Sequence, residues 1–154
     1  MKVLILGGAG TMGGGAGIIL AGFEDVSKIT LADISLEGAQ AYADQIGSPK
    51  VDVVQIDVTD REALIALVKG YDSVLSAVGP YTRFGVMVLD AIIEAGVPYV
   101  DVCDDHDATE ELLKLNDKAV KAGVPAIICM GTTPGTTNMQ AKLAHEHLDD
   151  VDVL

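Results

Sequence analysis

The chain has no tryptophan, and aromatic residues make up only 4% of its 154 residues. That argues against a platform for stacking the bases of single-stranded nucleic acid. Positive charge is also scarce: ten Lys and Arg face 23 Asp and Glu, for a formal net charge of −13. Nucleic acid and anionic membrane surfaces need clustered cations, so neither is an expected partner. No segment approaches the ~20 uninterrupted apolar residues of a membrane span. Met1-Lys2 leads at once into an apolar strand and a glycine-rich turn, not into the cleavage site of a signal peptide. There are two cysteines, Cys103 and Cys129, each inside an apolar run. This fits buried thiols, a reducing compartment and a cytoplasmic location, although neighbouring strands would leave a disulfide open. His145 and His147 are two apart on a predicted helix and share no face, so no metal site is expected.

What the chain has in quantity is glycine, 17 residues of it. Val3-Leu4-Ile5-Leu6 runs into Gly7-Gly8-Ala9-Gly10-Thr11-Met12-Gly13, and Asp33 follows twenty residues after Gly13. Gly8, Gly10 and Gly13 give G-x-G-x-x-G between a predicted strand and a predicted helix, the context that a dinucleotide site requires. In this reading Gly8 permits the tight turn, Gly10 the approach of a pyrophosphate, and Gly13 close packing of helix on strand. Thr11 and Met12 open the helix, whose free N–H groups face the pyrophosphate. Asp33, with Ile34 beside it, accepts hydrogen bonds from ribose hydroxyls. A carboxylate there opposes a 2′-phosphate, and residues 34–40 contain no Lys or Arg. The expected cofactor is therefore NAD rather than NADP. The bland alternatives are a glycine-rich αβ turn that merely packs closely, and an Asp33 that caps the next helix.

Apolar runs and helical patterns alternate strictly. Strands are predicted at Lys2–Leu6, Lys28–Asp33, Val51–Val58, Asp72–Val78, Val97–Cys103 and Pro125–Met130. Helices are predicted at Thr11–Ala21, Leu36–Ile46, Asp60–Lys69, Phe84–Ala95, Ala108–Ala122 and Thr137–His147. Thr59 with Glu62 reads as a capping box, and Gly22, Gly47, Gly70, Gly96 and Gly123 read as left-handed helix ends. Right-handed crossovers then give an α/β fold: a doubly wound, parallel-sheet Rossmann fold with strand order 3-2-1-4-5-6. Ligands bind beyond the carboxyl ends of such strands. That places Gly8–Met12, Val78-Gly79-Pro80-Tyr81, Asp104-Asp105-His106 and Gly131–Gly135 along one edge. Val151–Leu154 reads as the start of another strand, as though the chain stopped inside an element.

Three segments carry a resemblance. Ser76-Ala77-Val78-Gly79-Pro80-Tyr81, Tyr99-Val100-Asp101-Val102-Cys103-Asp104-Asp105 and Met130-Gly131-Thr132-Thr133-Pro134-Gly135-Thr136-Thr137-Asn138 resemble the saccharopine dehydrogenase-like family, in order and at the right strand ends. The resemblance implies an NAD(P)-dependent oxidoreductase acting on the C–N bond of an amino acid or related amine. It implies a dinucleotide-binding domain at 1–135, and at 136–154 a helix and strand leading into a second, absent domain. That domain would complete the substrate pocket and form a homodimer. The resemblance also places Asp57 and Val58 against the adenine. Ala77, Val78, Gly79 and Pro80 would line the nicotinamide side. Tyr81 and Asp104 fall on motif positions near the hydride donor, where a proton acceptor is needed, and are the candidate catalytic residues. Each is also compatible with a plain loop position, and Cys103 reads as core packing rather than a nucleophile.

Two other classes compete. A standalone nucleotide-sensing module would share the glycine loop but has no need of the later turns. An extended epimerase-type enzyme would satisfy G-x-x-G-x-x-G through Gly7, Gly10 and Gly13. Such enzymes carry Tyr-x-x-x-Lys, and none of Tyr42, Tyr71, Tyr81 or Tyr99 has Lys four residues on.

Overall fold

Residues 1–149 are described by a computed structural model, and the strand expected at Val151–Leu154 lies outside them. Six parallel strands form one sheet in the order β3-β2-β1-β4-β5-β6. They are β1 (Lys2–Leu6), β2 (Lys28–Asp33), β3 (Val51–Gln55), β4 (Ser73–Ser76), β5 (Tyr99–Asp101) and β6 (Ala126–Ile127). The helices are α1 (Thr11–Ala21), α2 (Leu36–Ile46), α3 (Arg61–Val68), α4 (Tyr81–Ala95), α5 (His106–Leu113), α6 (Asn116–Ala122) and α7 (Thr137–Glu146). This is the doubly wound Rossmann arrangement that the alternation predicts. No helix among the described residues is long and apolar enough to cross a membrane.

Side chains alternate across the sheet, so each strand feeds two cores. Val3, Ile5, Ile29 and Leu31 pack with Ala39 of α2 and Ala16 and Leu20 of α1. Leu4, Leu6 and Val74 face a larger core with Leu64 of α3, Val88 and Ile92 of α4, Leu112 of α5 and Ala119 of α6. The row Ile5, Leu75, Val100, Ile127 lies in register on the first of these faces. Burial fades along it, from 0% exposure at Ile5 to 56% at Ile127, because α1 and α2 cover the β1–β3 side.

The close packing of α1 explains its poor helix composition. Gly7, with φ +81°, makes the tight turn that the sequence reading gives to Gly8. A Cβ on Gly7 would lie 2.7 Å from the carbonyl oxygen of Ala77, so β1, its turn and β4 are in backbone contact there. Gly8 instead rests on Leu31 of β2. A Cβ on Gly13 would sit 2.2 Å from the Gly7 carbonyl oxygen, which no side chain permits. Gly14 lies against the Tyr42 ring and Gly17 against Leu31, whereas Gly15 meets nothing.

Several predicted boundaries move for local reasons. The strands after β2 are shorter than their apolar runs, which continue into loops at the carboxyl ends and, for β4, β5 and β6, begin before the ladder does. The predicted helix Ala108–Ala122 divides at Lys114–Leu115 into α5 and α6, which pack on α4 separately. No Gly or Pro marks that break. α4 begins at Tyr81, not Phe84, because Pro80 caps it and its carbonyl accepts from the N–H groups of Arg83 and Phe84. The α3 cap is Asp60, which accepts from Ala63 N–H; the Thr59 hydroxyl turns back to Asp57, so Thr59 and Glu62 form no capping box. Gly47, Gly96 and Gly123 are left-handed, but Gly22 ends its helix right-handed and Gly70 has no positive φ.

Opposite outcomes are expected from two substitutions in one helix. Gly13→Ala drives a methyl into backbone and should cost upwards of about 2 kcal/mol. Gly15→Ala removes a helix-interior glycine into open space and should gain roughly 0.5–1 kcal/mol. Urea denaturation of both variants measures this, and a Gly13→Ala chain as stable as the parent would contradict the packing described.

Candidate functional site

The strand order reverses between β1 and β4, and there the crossover helices diverge. A groove opens at that point along the carboxyl edge of the sheet. One cavity of about 550 Å³ is lined by Gly7 and Gly10, then by Ala32, Asp33 and Ile34 at the end of β2. Ile56, Asp57, Val58 and Thr59 after β3 close one side, and Ala77, Val78, Gly79, Arg83 and Phe84 the other. A second cavity of about 460 Å³ continues past Ala77 and Gly79, which border both. It reaches Met12, Pro80, Tyr81, Val102, Asp104, Asp105 and Gly131–Thr133.

Each wall is held by polar atoms anchored on backbone. The Asp33 carboxylate accepts from Ala9 N–H at 3.0 Å and from Ser35 N–H at 3.0 Å, tying the end of β2 to the glycine loop. The helix cap is Ser35, whose hydroxyl oxygen accepts from Gly38 N–H, so Asp33 does not serve as that cap. A carboxylate offers about four lone-pair sites, and two remain for ribose hydroxyls. Asp57 accepts from both the hydroxyl and the N–H of Thr59, at 2.7 and 2.9 Å. Those two bonds hold its carboxyl below the usual carboxylate range.

α1 is capped by Gly10 with no side chain over its N-terminus. Its first N–H groups are therefore left without a side-chain partner, and free N–H groups at a helix start suit an anion's oxygens. The groove is elongated, with that helix end between the Asp33–Asp57 side and the Ala77–Pro80 side.

The structure gathers most of the sequence candidates. Gly10, Asp33, Ile34, Asp57, Val58, Ala77, Val78 and Gly79 share the first cavity. Met12, Pro80, Tyr81 and Asp104 share the second with Ala77 and Gly79. Gly8, Thr11 and Gly13 line neither, and Gly8 and Gly13 instead form the packing beneath the loop. Asp104 is exposed in the cavity wall. Tyr81 is buried, and its hydroxyl donates to the Ser76 carbonyl at 2.8 Å while accepting from Val102 N–H at 3.4 Å. Burial raises its pKa well above that of an ordinary phenol. Its hydroxyl is thus engaged between β4 and β5. The cysteines are free and buried, and the Thr109 hydroxyl lies 3.8 Å from Cys103 Sγ and 3.2 Å from Cys129 Sγ.

Sequence reasoning did not find Arg83 and Phe84. The Arg83 guanidinium stands over the Phe84 ring, 4.8 Å from its centroid. Starting α4 at Phe84 hid them; the signal was Pro80, which marks a helix start by its own geometry.

The saccharopine dehydrogenase NADP binding domain family matches residues 3–127. The carboxyaminopropylagmatine dehydrogenase of Synechocystis sp. is 29% identical over 162 residues, covering 99% of this chain and 40% of that protein. The saccharopine dehydrogenase-like oxidoreductase of Rattus norvegicus is 30% identical over 99 residues, covering 64% of this chain and 23% of that protein. Among solved structures, the apo histidine-tagged saccharopine dehydrogenase (L-Glu forming) from Saccharomyces cerevisiae superposes with a TM-score of 0.80 at 31% identity. That match covers 95% of this chain and 31% of the yeast chain. The chain spans less than half the length of each of these relatives.

Tyr81 and Tyr99, both raised in pKa first of all by burial, make stability depend on alkaline pH. Each phenol is neutral when folded, whereas its unfolded counterpart ionises near pH 10. Their contribution is therefore complete below about pH 10 and lost as pH climbs, by up to ~1.4 kcal/mol per pH unit for each group. Denaturation midpoints between pH 9 and 11 should fall steeply in the parent chain and less steeply in Tyr81→Phe.

Proposed function

The chain belongs to the saccharopine dehydrogenase NADP binding domain family, and from that premise we propose that it is the cofactor domain of an oxidoreductase acting on a C–N bond. The observation that carries this reading is the continuous groove from Asp57 to Asp104, with the uncapped N-terminus of α1 at its middle. A bound nicotinamide would supply the hydride acceptor or donor. The protein's own part is to place that ring at Ala77–Pro80 and to keep the second cavity beside it for an amino-acid-type substrate. Asp104, exposed in that cavity, is our candidate for taking the proton released as an amine carbon is oxidised. Tyr81 supports the wall through Ser76 and Val102, which makes it a positioning residue rather than the proton acceptor. The homodimer implied by the family resemblance belongs to the same proposal.

NAD is the preferred cofactor in this reading, because the Asp33 carboxylate faces the ribose side and residues 34–40 carry no cation. A specific observation favours a second reading. Arg83 lines the same cavity, and an arginine near the ribose is the usual partner of a 2′-phosphate.

Calorimetric titration separates the two. The NAD reading expects tighter binding of NAD than NADP, and an Asp33→Ala chain that loses about tenfold in NAD affinity. If NADP binds more tightly and Arg83→Ala abolishes that difference, NADP is the cofactor. A chain that takes up neither at millimolar concentration is not a dinucleotide-binding domain.

A further inference from the structure

Only three polar or charged residues are buried among the described residues: Thr30, Ser76 and Asp101. Asp101 is the one carboxylate, with 0% exposure. No salt bridge is made to it among the described residues. It is held instead by three donors. Its Oδ1 accepts from Cys103 N–H at 3.1 Å and from Cys129 N–H at 2.8 Å. Its Oδ2 accepts from the Tyr99 hydroxyl at 2.9 Å. Its main-chain carbonyl accepts from Met130 N–H at 2.9 Å.

These bonds lie where the sheet itself stops. β6 pairs with β5 through only Tyr99↔Ala126 and Val100↔Ile127. Beyond Ile127 no ladder positions the chain, yet Gly131, Thr132 and Thr133 form one wall of the second cavity. Val102, Asp104 and Asp105 form the facing wall. Asp101 grips Cys103, inside the Val102–Asp105 wall, and Cys129 and Met130, the two residues just before the Gly131–Thr133 wall. Cys129 is held at φ 63°, a left-handed conformation that a non-glycine residue adopts only under strain. The turn at Gly135 folds back on this same piece, with room for no Cβ beside the Cys129 carbonyl oxygen at 2.8 Å. The strained residue and the tight turn are thus anchored to one buried carboxylate.

We propose that Asp101 is a positioning residue for the nicotinamide and substrate end of the groove: it touches no ligand, and fixes the spacing of the two loop walls that do. Three donors converge on it and no acceptor does, which suits an acceptor-only carboxylate. Asparagine would keep the bonds, with Oδ1 toward the two N–H groups and Nδ2 toward a Tyr99 hydroxyl that turns to accept. Alanine would leave two buried N–H groups unpaired. The inference rests on the dinucleotide reading above.

The test compares two probes on the 154-residue chain: NADH, which reaches both ends of the groove, and ADP-ribose, which lacks the nicotinamide. NADPH and its 2′-phospho-ADP-ribose fragment replace them if NADP proves the cofactor. Calorimetry gives the affinities, and the emission of bound reduced nicotinamide reports its surroundings. Asp101→Ala should bind ADP-ribose as the parent does, bind NADH about fivefold more weakly or worse, and return the emission toward that of free NADH. Asp101→Asn should restore both. Should Asp101→Ala not fold, Tyr99→Phe, which removes one donor, is expected to weaken NADH alone by about two- to fivefold. Equal weakening of NADH and ADP-ribose, or unchanged NADH affinity and emission, would overturn the proposal. Failure of the parent chain to bind either probe instead overturns the dinucleotide reading itself.

Discussion

The groove exists because the backbone of α1 touches the backbone of β1. Gly13 lies so close to the Gly7 carbonyl that no side chain fits between them. Gly7 in turn lies against Ala77 at the end of β4. This contact sets the height of the α1 N-terminus above the sheet, at the point where the strand order reverses. A side chain at Gly13 would lift the helix off the turn after β1, and one at Gly7 would push that turn away from the end of β4. Helix propensity is given up for it, with four glycines within residues 13–17. The helix is retained by its packing on Leu31, Ile5 and Tyr42 rather than by its own sequence.

This acidic chain uses several of its carboxylates as hydrogen-bond acceptors for its own backbone. Asp33, Asp57, Asp60 and Asp101 each accept from backbone N–H groups at a strand or helix end. They organise the loops around the groove by local hydrogen bonding, without needing cations. A chain with ten basic residues against 23 acids can build a site for an anionic ligand this way, since backbone dipoles carry the attraction. Arg83 is the one cation in the first cavity's lining.

Much of the fold was legible in the residues. Continuous apolar runs such as Val3–Leu6 belong to strands covered on both faces, and their alternation with helices leaves few topologies once crossovers must be right-handed. The glycine spacing and Asp33 located one end of the groove. Arg83 and Phe84 were not legible, because whether they face the groove depends on where α4 begins. The break at Lys114–Leu115 was hidden as well. It comes from the separate packing of two short helices on α4, not from a breaker residue.

Local sequence determined the alternation of elements, their order in the sheet and the edge at which the groove opens, because periodicity, turn chemistry and chain handedness are short-range properties. Tertiary structure decided which polar groups remain free to act. Tyr81 and Asp104 fall on equivalent motif positions in the sequence. Only the folded chain shows that one hydroxyl is engaged at the Ser76 carbonyl while the other residue's carboxylate is exposed in the cavity wall. The same holds for Asp101, one of several acids in its segment. It became the anchor of two loops because β5 and β6 bring Cys103 and Cys129 to a single oxygen. Such convergence joins residues distant along the chain, and no local pattern encodes it.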